Sequence, residues 1–384
     1  MVMFKIDNLD KAIYYMLLFF AFTSSISIAG GNIAIICASI LGVVRHGISP
    51  VKPNWDRGLI FAIIIFLFSV LLSSIFAHDL LISLNRLWTY FYRFFPFFLA
   101  TIFIRDKQQV RAIITLMVIS ILIADVYALG QGIQGNYRAS AFSSHPMAFA
   151  GYLIQMIPLM LVLGVEDSSI SNETKTFMLI ALLFSFAALI LNGTRGAWIA
   201  IVIVLPIFGF MSKNNRKVII ILLTSLALFT AVAINNPAIY NRVLTIVDMQ
   251  YQSNSERLLL WSSAWHMFKD HPLTGVGAEN FAEQYHNIYI SPHAKERDLG
   301  HAHNNYLQIL AETGIIGFAS FAYLFGYILF TSYQRYMLGS KWAFAVFLVT
   351  ISLLVQGLTE FNFGNSGVIK MYWFTLGLLF VKEV

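Results

Sequence analysis

Apolar runs long enough to cross a lipid bilayer follow one another along almost the whole chain. A transmembrane helix needs about 20 predominantly apolar residues, and we predict about twelve such spans, of which the second and eighth are short. Charged residues make up 11% of the chain, whereas soluble domains carry about 25%. We therefore predict an all-α integral membrane protein. The predicted spans cover residues 12–28, 31–45, 58–76, 87–104, 112–133, 146–165, 176–193, 196–211, 217–235, 315–333, 341–357 and 366–382.

One long polar segment, residues 236–304, lies between the ninth and tenth spans and continues as an amphipathic stretch to Gly314. The chain thus divides into spans one to nine (1–235), the long segment (236–314) and spans ten to twelve (315–384). Because functional residues concentrate on loops that a rigid scaffold positions, we expect the chemistry in the long segment.

The long segment itself carries helical patterns. Ser253 and Glu256 have capping-box spacing before an apolar repeat, which predicts an interfacial helix. A second short helix is predicted over 278–288, and a third from about His303 to Gly314.

The distribution of basic residues predicts the orientation. With both termini cytoplasmic, most lysines and arginines outside the long segment lie in inside loops, as the positive-inside rule requires, and the long segment is external. The net charge of +6 then reflects topology, and no nucleic-acid partner is expected. The inside positions are Lys5, Lys11, Arg45, Lys52, Arg57, Arg105, Lys107, Arg111, Lys175, Lys213, Arg216, Lys217, Arg335, Lys341 and Lys382, and the short outside loops hold Arg86, Arg138 and Arg195.

Three arginines that are far apart in sequence share the external side: Arg138, Arg195 and Arg257. A guanidinium group stays ionised and donates two parallel hydrogen bonds, which suits a diphosphate. The pattern therefore favours a site for a lipid-linked phosphate. The alternative is that each arginine reaches the lipid headgroups or pairs with a local acid.

The sequence His301-Ala-His303-Asn304 offers a base with a pKa near neutrality, as deprotonation of a sugar hydroxyl requires. Two alternatives stay open: a solvated pair of loop histidines, and a metal site that adds His293. With one cysteine and no Asp-x-Asp pair in the chain, we expect neither a metal nor another cofactor.

Two charged residues fall inside predicted spans. Arg93 and Asp125 lie at comparable depth on consecutive antiparallel spans. We predict that they form a structural ion pair, and a proton relay is the alternative.

Several motifs resemble one family. His303-Asn304, followed after nine residues by Gly314-Ile-Ile-Gly317, resembles the signature of the O-antigen ligase and polymerase superfamily. Three more stretches are similar to the same family: Asn192-Gly-Thr-Arg-Gly-Ala-Trp198, residues 142–152 with His145-Pro146, and Thr274-Gly-Val-Gly277 with Asn280-Phe281.

This resemblance implies a GT-C-like polytopic glycosyltransferase of the bacterial inner membrane, with the long segment in the periplasm. It would move O-antigen glycan from undecaprenyl diphosphate to the lipid A core oligosaccharide, with inversion and without a metal. The single long loop favours such a ligase. The alternatives are a polymerase that joins lipid-linked repeats and, from another class, a transporter of the same glycan.

The resemblance also implies residue roles. His303 would be the base, and Arg195 and Arg257 would complete the catalytic set. The expected substrate-binding residues are Arg138, His301, Asn304 and His145, and Glu360 matches the family loosely.

Overall fold

The computed structural model describes residues 2–51, 53 and 55–381, and all regular structure in this part of the chain is helical. A short π-helix, Tyr285–Tyr289, follows α13, and a 3-10 helix, Asn362–Gly364, precedes α16. The α-helices are α1 (Val2–Thr23), α2 (Ile28–Ile48), α3 (Arg57–Ile75), α4 (Leu80–Arg93), α5 (Phe95–Phe103), α6 (Lys107–Ile133), α7 (Pro146–Glu166), α8 (Asn172–Asn192), α9 (Arg195–Met211), α10 (Asn215–Asn235), α11 (Pro237–Leu244), α12 (Gln252–Asp270), α13 (Phe281–Gln284), α14 (Asn305–Met337), α15 (Lys341–Gln356) and α16 (Ser366–Leu379).

Six of these helices are long and apolar enough to cross a membrane: α2, α3, α6, α7, α8 and α14. Residues 219–235 of α10 and α11 form a seventh candidate if this pair, bent by 108°, is one span. The protein is thus a multi-pass membrane protein, but the twelve predicted spans are not confirmed. Lys52 and Lys382, and the side chain of Lys5, lie outside the described residues.

The predicted span over 87–104 is broken into two helices. α4 ends at Arg93, and α5 begins at Phe95 with Pro96 in its first turn. A proline there has no backbone N–H to continue the hydrogen bonds of the preceding helix. Each piece is too short to cross the bilayer as one straight helix of about 20 residues.

Helix α7 forms the centre of the bundle. Every residue of α7 from Ala148 to Val165 is buried, and the helix packs against α8, α9, α15 and α16. A helix that is apolar all round is buried by its neighbours. A second, smaller core lies within the long segment and is built from Leu260, Ala264, Met267, Val276, Phe281, Tyr285, Ala302 and Ala311.

The helices expected in the long segment are present as α12, as α13 with the π-helix, and as the start of α14. The predicted capping box is wrong. Tyr251 occupies the N-cap of α12, and the Glu256 carboxylate accepts the backbone N–H groups of Lys295 and Glu296 instead. Glu256 therefore ties the loop before the histidines to α12.

Helix α14 is kinked at Gly314, which has φ 62°. The carbonyls of Ala311 and Glu312 accept the N–H groups of Val276 and Gly277, at 2.9 and 3.0 Å. A Cβ atom on Gly314 would lie 2.3 Å from the Leu273 carbonyl oxygen, so only glycine fits at the kink. The two glycine motifs of the sequence thus meet here, where α14 joins the long segment.

Candidate active site

His303 lies directly before α14, next to a carboxylate from a distant part of the chain. Its Nδ1 is 3.3 Å from Oε2 of Glu360, which lies between α15 and the 3-10 helix. Its backbone N–H donates to Nδ1 of His301, and the two imidazole rings are 4.2 Å apart. With Nδ1–H directed at a carboxylate, Nε2 of His303 is the nitrogen that can accept a proton.

Two asparagines fix the start of α14 against the Glu360 loop. The Asn304 amide oxygen caps the N–H groups of Tyr306 and Leu307, and its nitrogen donates to the Leu358 carbonyl. The Asn305 N–H donates to the Gly357 carbonyl at 2.7 Å. These contacts give Asn304 a structural role, while substrate binding by this residue stays a prediction.

Burial and charge keep this site in defined protonation states. Burial and the charge of His303 lower the pKa of His301 to about 4, so His301 is neutral at physiological pH. Burial alone would raise the pKa of Glu360, but the hydrogen bond from His303 and the charges of His303, His301 and Arg257 lower it overall. An ionised Glu360 can stabilise a positive charge that develops on His303.

The Asn192–Trp198 motif forms the turn between α8 and α9 and places Arg195 at the start of α9. Gly193 has φ 66° and ends α8, and the Asn192 amide donates to the carbonyls of Ala139 and Pro146 at 2.8 Å. The turn therefore holds the stretch that carries Arg138 next to Arg195.

Arg195 points towards the long segment. Its guanidinium donates to the Thr245 carbonyl and, at 3.4 Å, to the Ser253 hydroxyl, and it lies 5.3 Å from the centre of the Tyr251 ring. Arg242 of α11 joins it, because its Nε donates to the Gly193 carbonyl at 3.0 Å.

These side chains form an arginine cluster, defined as Arg138, Arg195, Arg242 and Arg257. Burial lowers the pKa of Arg195 to about 10, and the charges of Arg242, Arg257 and Arg138 add to this effect. The pKa of Arg138 is lowered by burial and by the charges of Arg242 and Arg257. Positive groups that lower one another's pKa in this way repel one another, and a bound anion would relieve the repulsion.

The arginine cluster has little compensation from the protein. None of the four forms an ion pair with a carboxylate within 4.0 Å among the described residues. Arg138 Nε is buried without a partner. The cluster lies near the His303–Glu360 pair, since the charge of Glu360 acts on both Arg138 and Arg257.

His301, His303 and Glu360 could also hold a cation, since their ligand atoms lie within 4.8 Å of one another. His293, considered from the sequence, is not in this group. The charges of Arg86 and Arg257 act on His301 and work against a divalent ion. His145 is exposed at the N-cap of α7 and caps no backbone N–H with its side chain, and its predicted role in binding is untested.

The predicted ion pair of Arg93 and Asp125 is not formed. Arg93 donates to the carbonyls of Phe363 and Gly364, at 3.1 and 2.7 Å, and Asp125 accepts from the Ser185 hydroxyl of α8. The prediction assumed that consecutive spans are neighbours. Instead, α4 ends at Arg93, and α6 packs against α8 and α1.

Residues 180–322 match the family model described as O-Antigen ligase. This match supports the resemblance to the O-antigen ligase and polymerase superfamily. A protein of Haemophilus influenzae (strain ATCC 51907 / DSM 11121 / KW20 / Rd), described as uncharacterized, is 24% identical over 337 residues, which cover 82% of this chain and 83% of the relative. The match favours a glycosyltransferase-like enzyme of O-antigen processing in a membrane.

The segment that matches the family model contains Arg195, Arg242, Arg257 and His303, whereas Arg138 and Glu360 lie outside it. Sequence reasoning missed Arg242, which has no motif around it. Its only signal in the sequence was its place in the long polar segment that is predicted to be external. Glu360 was matched loosely, and its position 57 residues from His303 explains why spacing did not reveal the contact.

Proposed function

We propose that this protein is an O-antigen ligase. It transfers glycan from undecaprenyl diphosphate to the lipid A core oligosaccharide on the periplasmic face of the inner membrane. The observation that supports this most is the arginine cluster, which has no ion-paired carboxylate among the described residues, beside the His303–Glu360 pair. A diphosphate and a hydroxyl that must lose its proton would find their matching groups in one site.

In the proposed reaction the acceptor hydroxyl attacks C1 of the donor sugar from the face opposite the diphosphate. His303 Nε2 takes the hydroxyl proton while its Nδ1–H stays bonded to Glu360. The new C1–O bond forms as the bond from C1 to the diphosphate oxygen breaks. The arginine cluster stabilises the charge that develops on the leaving diphosphate, and undecaprenyl diphosphate departs.

A polymerase would use the same groups and a different acceptor, namely a second lipid-linked repeat. The single long external segment favours the ligase. A transporter would need charged groups along a path through the membrane, whereas the arginine cluster and the histidines are predicted to lie on one face.

Glycan analysis of a deletion strain separates the two reactions. Loss of a ligase leaves polymer on undecaprenyl diphosphate, while loss of a polymerase leaves core capped by one repeat. As a direct check, purified protein in nanodiscs should transfer glycan to lipid A core in excess chelator. Transfer to a lipid-linked repeat instead would establish the polymerase, and chelator-sensitive transfer restored by one metal would favour a metal site at His301, His303 and Glu360.

A further inference from the structure

The residue between the two histidines, Ala302, is held at both of its backbone polar groups. Its N–H donates to Oε1 of Gln308 at 2.7 Å, and its carbonyl accepts the indole N–H of Trp261 at 3.0 Å. Ala302 is fully buried. His301 and His303 are the neighbours of Ala302 in the chain. Hydrogen bonds that fix the Ala302 peptide groups therefore also fix the backbone positions from which the two imidazole rings extend.

Gln308 is in turn held by Glu312, one turn further along α14. The Gln308 amide nitrogen donates to Oε1 of Glu312 at 2.8 Å, and the same oxygen accepts the N–H of Glu279 at 3.0 Å. Gln308 and Glu312 are each 1% exposed. The orientation of the amide is thereby defined, with its oxygen towards Ala302 and its nitrogen towards Glu312.

Two features of this arrangement are unfavourable for stability. His303 has φ 48°, in the left-handed region that side chains rarely adopt. Oε2 of Glu312 is buried without a hydrogen-bond partner. Strained backbone and unpaired buried polar atoms concentrate at functional sites and persist where the surroundings over-determine them.

We propose that Gln308 and Glu312 are positioning residues for glycan transfer. They hold the His301–His303 loop so that the His303 ring faces Glu360, and they act through Ala302 without contacting the reacting atoms. The inference rests on the proposed function, because one of its readouts is the rate of transfer. A misplacement of about 1 Å in a catalytic group can lower a rate by roughly 100-fold.

Exchanging the amide and the carboxylate between positions 308 and 312 tests the proposal, and we call this double variant the polarity exchange. Gln308→Leu removes both hydrogen bonds and should lower kcat by roughly 10- to 100-fold while donor affinity stays within about twofold of wild type. Gln308→Glu directs two carboxylates at each other and should also lower kcat. In the double variant Gln308→Glu/Glu312→Gln, the new carboxylate can accept from Ala302 and from the new amide, whose oxygen can accept from Glu279. This variant should recover most of kcat.

Two further measurements separate positioning from a general loss of structure. Thr350→Val removes another buried hydroxyl contact, to Tyr372 in the membrane bundle, and should leave kcat unchanged. Modification of His303 by diethyl pyrocarbonate, followed by peptide mass spectrometry, should be faster in Gln308→Leu and return to the wild-type rate in the double variant. This readout needs no transfer.

The outcomes are distinct. Wild-type kcat and His303 reactivity in Gln308→Leu would overturn the proposal, as would a double variant no better than Gln308→Glu. If Gln308→Leu does not fold, recovery of kcat in the polarity exchange decides whether the proposal holds. If neither variant folds, Gln308 and Glu312 have a structural role and the proposal is rejected. A wild-type protein that transfers to no acceptor rejects the proposed function, and His303 reactivity then still tests the positioning.

Discussion

The arginine cluster differs in its surroundings from Arg45 and Arg105 on the predicted cytoplasmic face, and from Arg86 on the predicted external side, which pairs with Glu279 at 2.6 Å. On the predicted cytoplasmic face, Arg45 and Arg105 share the Asp10 carboxylate at 2.8 and 2.6 Å, and Arg45 also donates to the Ser49 carbonyl. On the predicted external face, the arginine cluster has no ion-paired carboxylate among the described residues. The same residue type thus has a structural role where its charge is balanced. Where several positive charges accumulate without ion-paired carboxylates, they favour an anionic ligand.

The largest expected effect is at His303, the proposed base, because the external face is proposed to do the chemistry. His303→Ala should lower the single-turnover rate of transfer by about 10²- to 10⁴-fold, the usual contribution of general acid–base catalysis, and His301→Ala should lower it less. The rate is measured in nanodiscs, with thermal melting as the control for folding. Near-normal transfer by a folded His303→Ala protein would remove His303 from the mechanism.

The second largest effect is expected for donor affinity, which is compared in two arginine-to-lysine variants, one on each predicted face. Arg195→Lys should weaken donor binding, since an ammonium keeps the charge but loses the bidentate fork, and Arg195→Ala should cost more, about 1.5–3 kcal/mol or roughly 10- to 150-fold. Arg45→Lys should leave donor affinity unchanged.

Arg257 and Arg138 extend the same test. Arg257→Ala and Arg138→Ala should weaken donor binding and slow transfer by smaller factors than Arg195→Ala. Donor affinity is measured by titration of the lipid-linked donor into each variant. Equal changes in donor affinity for Arg195→Lys and Arg45→Lys would contradict the proposed difference between the two faces.

A smaller effect is expected on stability inside the bundle. Arg93→Met should cost about 1–3 kcal/mol, because it leaves the buried Phe363 carbonyl and the half-buried Gly364 carbonyl without this donor. Since Asp125 has a different partner, the penalties of Arg93→Met and Asp125→Asn should add to within about 0.5 kcal/mol in the double variant. Denaturant or thermal unfolding in detergent measures all three, and strong coupling would revive the ion pair.

The smallest predicted effect is a change in pH dependence. The pKa of His301 falls from 6.5 to about 4 on folding, so the unfolded chain binds more protons than the folded one between these pH values. The contribution of His301 is present in full above pH 6.5 and is lost as the pH falls towards 4. The melting temperature of His301→Gln should therefore fall less steeply over this range. Parallel curves for the two proteins would contradict the lowered pKa.

The sequence predicted helices well and long-range partners poorly. Apolar runs determine where helices form, because every backbone group in lipid must be bonded within its own segment. The prediction that Arg138, Arg195 and Arg257 share one side came from the positive-inside rule, and in the structure their charges act on one another. In contrast, the contact of His303 with Glu360 and the addition of Arg242 depend on how distant segments pack. The ion pair of Arg93 and Asp125 failed for the same reason, since span order in sequence does not determine neighbours in space.

The left-handed backbone of His303 bears on how this site can evolve. Glycine adopts that conformation without the steric cost of a side chain, so selection for a well-folded chain alone would favour it at this position. Under the proposed function, a histidine here is a compromise in which about 1–3 kcal/mol of local strain is retained for the sake of an imidazole. A gene copy that no longer needs the proposed base should lose the histidine at this position early, in favour of glycine, and encode a more stable protein.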